Sequence, residues 1–246
     1  MEGLCIVIEG IDGSGKNTLA KNLQAKIQEL GNEVEVVSFP RHKEEFSSDL
    51  VDKFLYDGLR FDNDEHKALR EGMLYAIDRM VSLTRVQESG KSRYMEWKEG
   101  KTFIFDRYLT SNFIHRCNTM TREELNRYMM QMEYVEYDLM GIPKPDITFV
   151  LSVKPEVSYQ NIIKRGRETD ENESLENLTK SYENLEYLCK TRGYTLVDCC
   201  KLNENNEYEM LSREEILDKV WNILINKKWC KRQRFQFYII YLNKNK

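Results

Sequence analysis

The densest chemistry in this 246-residue chain lies in ten consecutive residues, Glu9-Gly10-Ile11-Asp12-Gly13-Ser14-Gly15-Lys16-Asn17-Thr18. Glycines at 10, 13 and 15 let successive backbone N–H groups converge on an anion with no Cβ in the way. Lys16 adds a cation able to bridge outer phosphates. Gly10, Gly15 and Lys16 meet the spacing of a phosphate-binding loop: Gly, four residues, Gly-Lys, then Ser or Thr. Asn17 takes that last position. The hydroxyl normally found there ligates Mg²⁺. Asn17 offers a neutral carbonyl oxygen instead, and Thr18 supplies a hydroxyl one step on. A carboxylate repels phosphate, so Asp12 inside the loop points to a second contact, with a sugar hydroxyl or a metal.

A second pair, Asp106-Arg107, follows the apolar run Thr102-Phe103-Ile104-Phe105. An aspartate at such a strand end can hold Mg²⁺ through water, and an arginine can clamp an acceptor phosphate in bidentate fashion. A phosphate cradle, a metal site and cationic clamps are what phosphoryl transfer needs.

These residues require elements that bring them together. Leu4–Ile8 reads as a strand entering the loop, and Leu19, Leu23, Ile27 and Leu30 mark one face of the helix leaving it. Further strands are expected at 33–38, 102–105, 147–151 and 194–198. Helices are expected at about 47–57, 64–88, 109–117, 121–140, 175–191 and 212–226, with another starting at Pro155 and ending near Arg165-Gly166-Arg167. Thr121-Arg122-Glu123-Glu124 is a capping box, and Gly141-Ile142-Pro143-Lys144-Pro145-Asp146 a breaker. Residues 89–101 read as polar and exposed. The alternation predicts an α/β fold of the P-loop NTPase type: a five-stranded parallel sheet with helices on both faces. Ligands then sit beyond the carboxyl ends of the strands, where Phe39-Pro40-Arg41-His42 also falls.

Composition removes other classes. Hydrophobic residues make up 41% and charged residues 32%, the balance of a folded globular chain. A net charge of −4 argues against nonspecific nucleic-acid binding. The apolar N-terminal run is too short for a signal peptide, and no stretch is long enough to span a membrane, so a cytoplasmic protein without nucleic-acid or membrane partners is expected. The six cysteines, at 5, 117, 189, 199, 200 and 230, form no metal or disulfide pattern and read as free thiols. His42, His66 and His115 have no metal-ligand spacing. Residues 1–226 read as one domain. Residues 227–246 add basic residues and an aromatic run, Phe235-Gln236-Phe237-Tyr238, as an extension of unknown role.

The ordered set of Glu9–Lys16, Phe39-Pro40-Arg41, Tyr75-Ala76-Ile77-Asp78-Arg79, Asp106-Arg107-Tyr108-Leu109-Thr110-Ser111-Asn112, Gly141–Asp146 and Arg165-Gly166-Arg167 resembles bacterial thymidylate kinases. The resemblance runs from about residue 4 to about 224. It implies an ATP- and Mg²⁺-dependent conversion of dTMP to dTDP by a protein that is usually a homodimer. Gly10, Asp12, Gly13, Ser14, Gly15, Lys16, Asn17 and Thr18 then bind ATP. Asp12 also reaches the deoxyribose 3′-hydroxyl, Phe39 and Tyr75 flank the thymine, and Arg79 donates to its O4. Asn112 and Ser111 lie in the same acceptor site, and Arg41 and Arg107 near the monophosphate. His115 falls where relatives carry an aromatic that crowds the 2′ position. Because Gly13 replaces the basic loop residue of some relatives, the resemblance implies that the catalytic cation beside Lys16 and Arg107 comes from a short mobile lid at about 165–174, as Arg165, Arg167 or both. Asn17 and Asp106 are the metal candidates. Another nucleotide kinase of the same architecture is the runner-up. A GTP-reading switch lacks its Asn-Lys-x-Asp element, since Asn226-Lys227 is followed by Lys228-Trp229.

Overall fold

Strand β1 (Cys5–Gly10) is buried throughout. Its odd residues Cys5 and Val7 belong to one hydrophobic core, and its even residues Ile6 and Ile8 to another. A continuous apolar run is what a strand covered on both faces requires. In the computed structural model, which describes residues 2–115, 120–164 and 173–226, the chain continues through α1 (Lys16–Gln28), β2 (Val34–Ser38), α2 (Ser48–Leu55), α3 (Lys67–Thr84), α4 (Arg93–Glu99) and β3 (Thr102–Asp106). Next come α5 (Leu109–His115), α6 (Arg122–Glu133), a π-helical turn (Tyr134–Leu139), β4 (Ile147–Ser152) and α7 (Pro155–Ile163). The described chain ends with α8 (Leu175–Arg192), β5 (Thr195–Asp198), β6 (Cys200–Leu202), β7 (Tyr208–Met210) and α9 (Arg213–Asn226).

The five parallel strands lie in the order β2-β3-β1-β4-β5. Their register aligns Ile8 with Asp106, Ser38 with Asp106 and Gly10 with Leu151, so the phosphate loop and the Asp106-Arg107 pair leave the sheet at one rim. On one face α1 and α9 cover Ile6, Ile8 and Ile104 with Leu19, Leu23, Ile27, Val220 and Trp221. On the other, Phe103 and Phe105 meet α3, α5, α6 and α8 through Ala76, Phe113, Tyr128 and Leu185.

Three features depart from the pattern expected of the sequence. Residues 93–99 are helical, not an exposed polar stretch. Ser92 caps this helix by accepting from Met95 N, and Arg93 is buried through ion pairing with Glu35 (2.8 Å) and a bond to Ser82 O (2.9 Å). Trp97 also packs on the core, but seven residues are too few for an apolar stripe to read. The helix expected to run unbroken to 140 widens to a π-helix from Tyr134. The loop before α9 contains the antiparallel hairpin β6–β7, closed by Asn203, whose Oδ1 accepts from Asn205 N and Glu207 N. The lid arginines Arg165 and Arg167 and the 227–246 extension lie outside the described residues.

Leu23 is fully buried between α1 and the sheet. Leu23→Ala is expected to cost about 2–5 kcal/mol of stability, read as a lower urea midpoint at unchanged slope.

Candidate active site

The turn between β1 and α1 takes its shape from glycine. Gly13 (φ 82°) and Gly15 (φ 86°) occupy left-handed backbone, and a Cβ on Gly13 would collide with the Ser158 carbonyl of α7. Asn161 Nδ2, also on α7, donates to Gly13 O at 3.1 Å and holds the loop from behind. No side chain caps α1 and its first turn holds no acid, so its leading N–H groups and positive dipole end are left for an anion. Lys16 is buried and donates to Gly10 O (3.0 Å) and Ile11 O (2.9 Å). Burial first, and then the neighbouring Arg107 cation, lower its pKa to about 8 against the pull of Asp12, Asp106 and Glu9. Ser14 Oγ is buried without a hydrogen-bond partner among the described residues. Asn17 is exposed and Thr18 half-buried.

Arg107 sits next to this loop in left-handed backbone (φ 69°), a conformation that costs a non-glycine residue energy and persists only where its surroundings enforce it. Its own N–H donates to Ile8 O (3.1 Å). Glu9 does the rest: Oε1 accepts from Tyr108 N and Oε2 from Ser111 Oγ, both at 2.8 Å. Burial raises the pKa of Glu9, opposed by Arg107, Ser111, Tyr108 and Lys16. The Arg107 guanidinium pairs with Asp12 through Nη2, while Nη1 lies 2.6 Å from His115 Nε2. Arginine only donates, so Nε2 must be the accepting nitrogen of a neutral imidazole. Burial opposes the charge on Arg107, but Asp12, Glu9 and Asp106 outweigh it and raise its pKa.

Beside the loop opens a cleft of about 240 Å³. Asp12, Phe39, Tyr75, Arg79, Arg107, Ser111, Asn112 and His115, dispersed over a hundred positions of sequence, all line it. Phe39 packs on Phe105 and Tyr108 at ring distances of 5.9 and 6.1 Å, which fixes that wall. Arg79 is held in a buried bidentate pair by Glu136. Arg41 is not among the lining residues. Its guanidinium pairs with Glu44, and its backbone N–H donates to Asp78 Oδ2 at 2.9 Å. Sequence reasoning gave no role to Glu9, Asp78, Glu136 or Tyr56; it placed His42 at the ligand-bearing sheet edge and Glu173 within the expected lid segment, and both of these line the cleft. Glu9 and Asp78 stood inside recognised motifs, and an acid in an apolar strand end or helix is the signal. For Glu136 the signal was spacing, since it stands four residues after Met132 on the inward face of the helix.

The residues present fit a hard cation. Asp106 is nearly buried, acts electrostatically on Lys16, and its carboxylate accepts no hydrogen bond among the described residues. Mg²⁺ in such sites takes one or two carboxylates together with water and substrate phosphates, a set that needs no cluster of acids. Among the described residues there is no group of three or more His, Cys, Asp or Glu arranged for a metal.

A parallel sheet of this order, a lysine-bearing phosphate cradle and an adjoining arginine-lined cleft define a P-loop kinase. The chain belongs to the thymidylate kinase family: the family model described as "Thymidylate kinase" matches residues 8–210. It is 27% identical over 169 residues to "Thymidylate kinase" of Mycobacterium tuberculosis, covering 67% of this chain and 72% of that protein. It is 30% identical over 170 residues to "Probable thymidylate kinase" of Methanosarcina acetivorans, covering 69% and 74%. A third relative, "Probable thymidylate kinase" of Pyrobaculum aerophilum, is 26% identical over 209 residues, 81% of this chain and 90% of the relative. Bacterial and archaeal relatives stand side by side, so the resemblance is to the family as a whole and does not single out its bacterial members.

Because Lys16 has a lowered pKa of about 8, it is partly neutral above that pH, and a bound triphosphate restores its charge. Binding of a nonhydrolysable ATP analogue at about pH 8.5 is therefore expected to take up a proton. Calorimetry in two buffers of different ionisation enthalpy reads this as two apparent enthalpies. Lys16→Arg, whose guanidinium stays charged, is expected to lose the uptake.

Proposed function

We propose that the chain is an ATP-dependent dTMP kinase, in which dTMP occupies the cleft and ATP the loop. The observation that carries this is the adjacency of two unlike sites on one rim: a glycine cradle around Lys16, and a cleft with an aromatic wall, a fixed arginine and Arg107 at the junction. Thymine lies against Tyr75 and Phe39, with Arg79 donating to its O4 and Asn112 facing its other edge. The deoxyribose lies toward Asp12, Ser111 and His115, and Asp12 exchanges part of its contact with Arg107 for the 3′-hydroxyl. Arg107 orients the acceptor phosphate, with Arg41 as a more distant cation. Gly10, Gly13, Ser14, Gly15, Lys16, Asn17 and Thr18 surround the ATP phosphates.

In the reaction an acceptor phosphate oxygen attacks the γ-phosphorus in line. A P–O bond forms to the acceptor as the bond to the β–γ bridging oxygen breaks, and ADP leaves with that electron pair. The attacking oxygen is already anionic near neutral pH, so no strong general base is required. Rate comes from positioning and from cations on the equatorial oxygens: Lys16 on the loop, Arg107 at the junction, and Arg165 and Arg167 from the lid. Asp106, with Asn17 or Thr18, would hold Mg²⁺ through water, and the ion would neutralise charge on the β- and γ-phosphates. The domain spans about 1–226.

Met130, Tyr134 and Leu139 expose apolar side chains along one stretch of helix, which supports a homodimer through that surface. No described helix is long and apolar enough to cross a membrane, and the described cysteines are free thiols, which supports a cytoplasmic location. Light scattering at micromolar concentration is expected to give twice the chain mass, falling to the chain mass in Tyr134→Glu.

In an ADP-release assay over a panel of nucleoside monophosphates, dTMP is expected to turn over far faster than dCMP, dGMP or AMP. Equal turnover overturns the acceptor assignment. Arg107→Ala is expected to lower kcat/KM for dTMP by about 10²–10³-fold at nearly unchanged affinity for the ATP analogue.

A further inference from the structure

We propose that Glu136 is a specificity-determining positioning residue: it locks Arg79 so that one edge of the guanidinium is held out to the base. This deepens the reading of the cleft as a dTMP site and rests on it.

The pair is buried on both sides, with Arg79 side-chain exposure of 2% and Glu136 of 0%. Arg79 Nε donates to Glu136 Oε2 at 2.7 Å and Nη2 to Oε1 at 2.5 Å. Two parallel bonds fix a planar group completely, in direction as well as in position. They use Nε–H and one N–H of Nη2, and leave the far edge of the guanidinium, with both N–H bonds of Nη1, without a partner among the described residues on a side chain that lines the cleft. Burial opposes the charge on Arg79, and Glu136 more than compensates, so the pKa is raised and the donor stays a donor at any working pH.

Such a pair is a poor way to gain stability. An apolar pair of similar volume would do as well or better in this core. The neighbourhood is otherwise apolar and aromatic, with Tyr108 and Tyr137 close to Arg79. The chain also departs from regular helix to present the acid. Glu136 follows Met129 and Met132 on the inward face, and lies in the π-helical turn Tyr134–Leu139, where its carbonyl accepts from Ile142 N at 3.1 Å. Single wide turns of this kind occur mostly at functional sites.

A fixed donor discriminates where a mobile one does not. Thymine and uracil present a carbonyl oxygen at C4, whereas cytosine presents an amino group that would meet N–H with N–H. Arg79 cannot turn away from the mismatch without breaking its buried pair, so cytosine leaves polar groups unpaired, the condition under which binding sites reject most strongly. Glu136→Gln keeps the shape but can accept through one oxygen only, which frees the guanidinium to pivot.

The test is steady-state kinetics of wild type, Glu136→Gln, Arg79→Gln and the double variant with dTMP, dUMP and dCMP, beside urea unfolding of each. Glu136→Gln is expected to raise KM for dTMP and dUMP by about tenfold with kcat within about twofold, and to leave KM for dCMP unchanged or lower. The double variant is expected to match Arg79→Gln alone, because the acid acts only through the arginine. A dTMP:dCMP ratio that falls in Arg79→Gln but holds in Glu136→Gln overturns the inference and leaves the site reading standing. A ratio unchanged in Arg79→Gln overturns the reading of the base site, and the inference with it. An equal loss on all three substrates, tracking the unfolding midpoint, assigns Glu136 a structural role and overturns the inference. Should Glu136→Gln not fold, Glu136→Asp, which keeps the charge but withdraws it by one methylene, gives the same readout.

Discussion

The buried carboxylate of Glu9 is the joint on which the site turns. It ends an apolar strand, where an acid is costly unless its oxygens are satisfied. Both are, by Tyr108 N and Ser111 Oγ, two groups reached only after a hundred residues of intervening chain. That one side chain fastens the start of α5 to the end of β1. It thereby holds Arg107, between them, in a backbone conformation the residue would not choose. The phosphate loop and Arg107 are set against each other by this bond pair together with the direct ion pair between Arg107 and Asp12 of the loop.

The same economy governs the other cations. Lys16, Arg79 and Arg107 each lose solvent, and each is kept in place by acceptors that differ in kind. Among the described residues Lys16 hydrogen-bonds backbone carbonyls only, and burial lowers its pKa to about 8. Arg79 has a full bidentate acid and Arg107 a shared one, and both stay charged. The lysine is thus the cation with most to gain from an incoming phosphate. Arg79 is already satisfied on one edge and has only directed donors to offer. Arg107 lies between, paired with Asp12 through one nitrogen and set beside His115 through the other. Differences in pairing, more than in residue type, divide the labour among three positive charges in one small volume.

How much of this was legible beforehand differs by feature. The five strands, the phosphate loop and the helix carrying Leu19, Leu23 and Ile27 were legible because each writes a local signal: a continuous apolar run, a glycine spacing, a repeat of three or four. The helix at Arg93–Glu99 was not, because it is seven residues long and is anchored by Arg93 to Glu35 and by Trp97, whose ring packs on the core and whose Nε1 donates to Gly3 O. The hairpin of β6 and β7 was missed because its strands are three residues long, too short for an alternating pattern to register. The change to a π-helix at Tyr134 leaves no mark in periodicity over a single turn.

The sequence by itself determined the class of chemistry, through residues that are neighbours in the chain and so share one local geometry: Gly10 to Lys16, and Asp106 with Arg107. It also determined that these would reach a common sheet edge, because parallel strands joined by helices present their carboxyl ends on one side. Only the tertiary structure decided which side chains hold which. The partners of Arg79, Arg107 and Glu9 lie 57, 95 and 99 positions away. A charge in a linear sequence carries no label for the opposite charge that burial will force upon it. That choice is made when helices and strands close around an apolar core and each buried polar group must find an acceptor within reach.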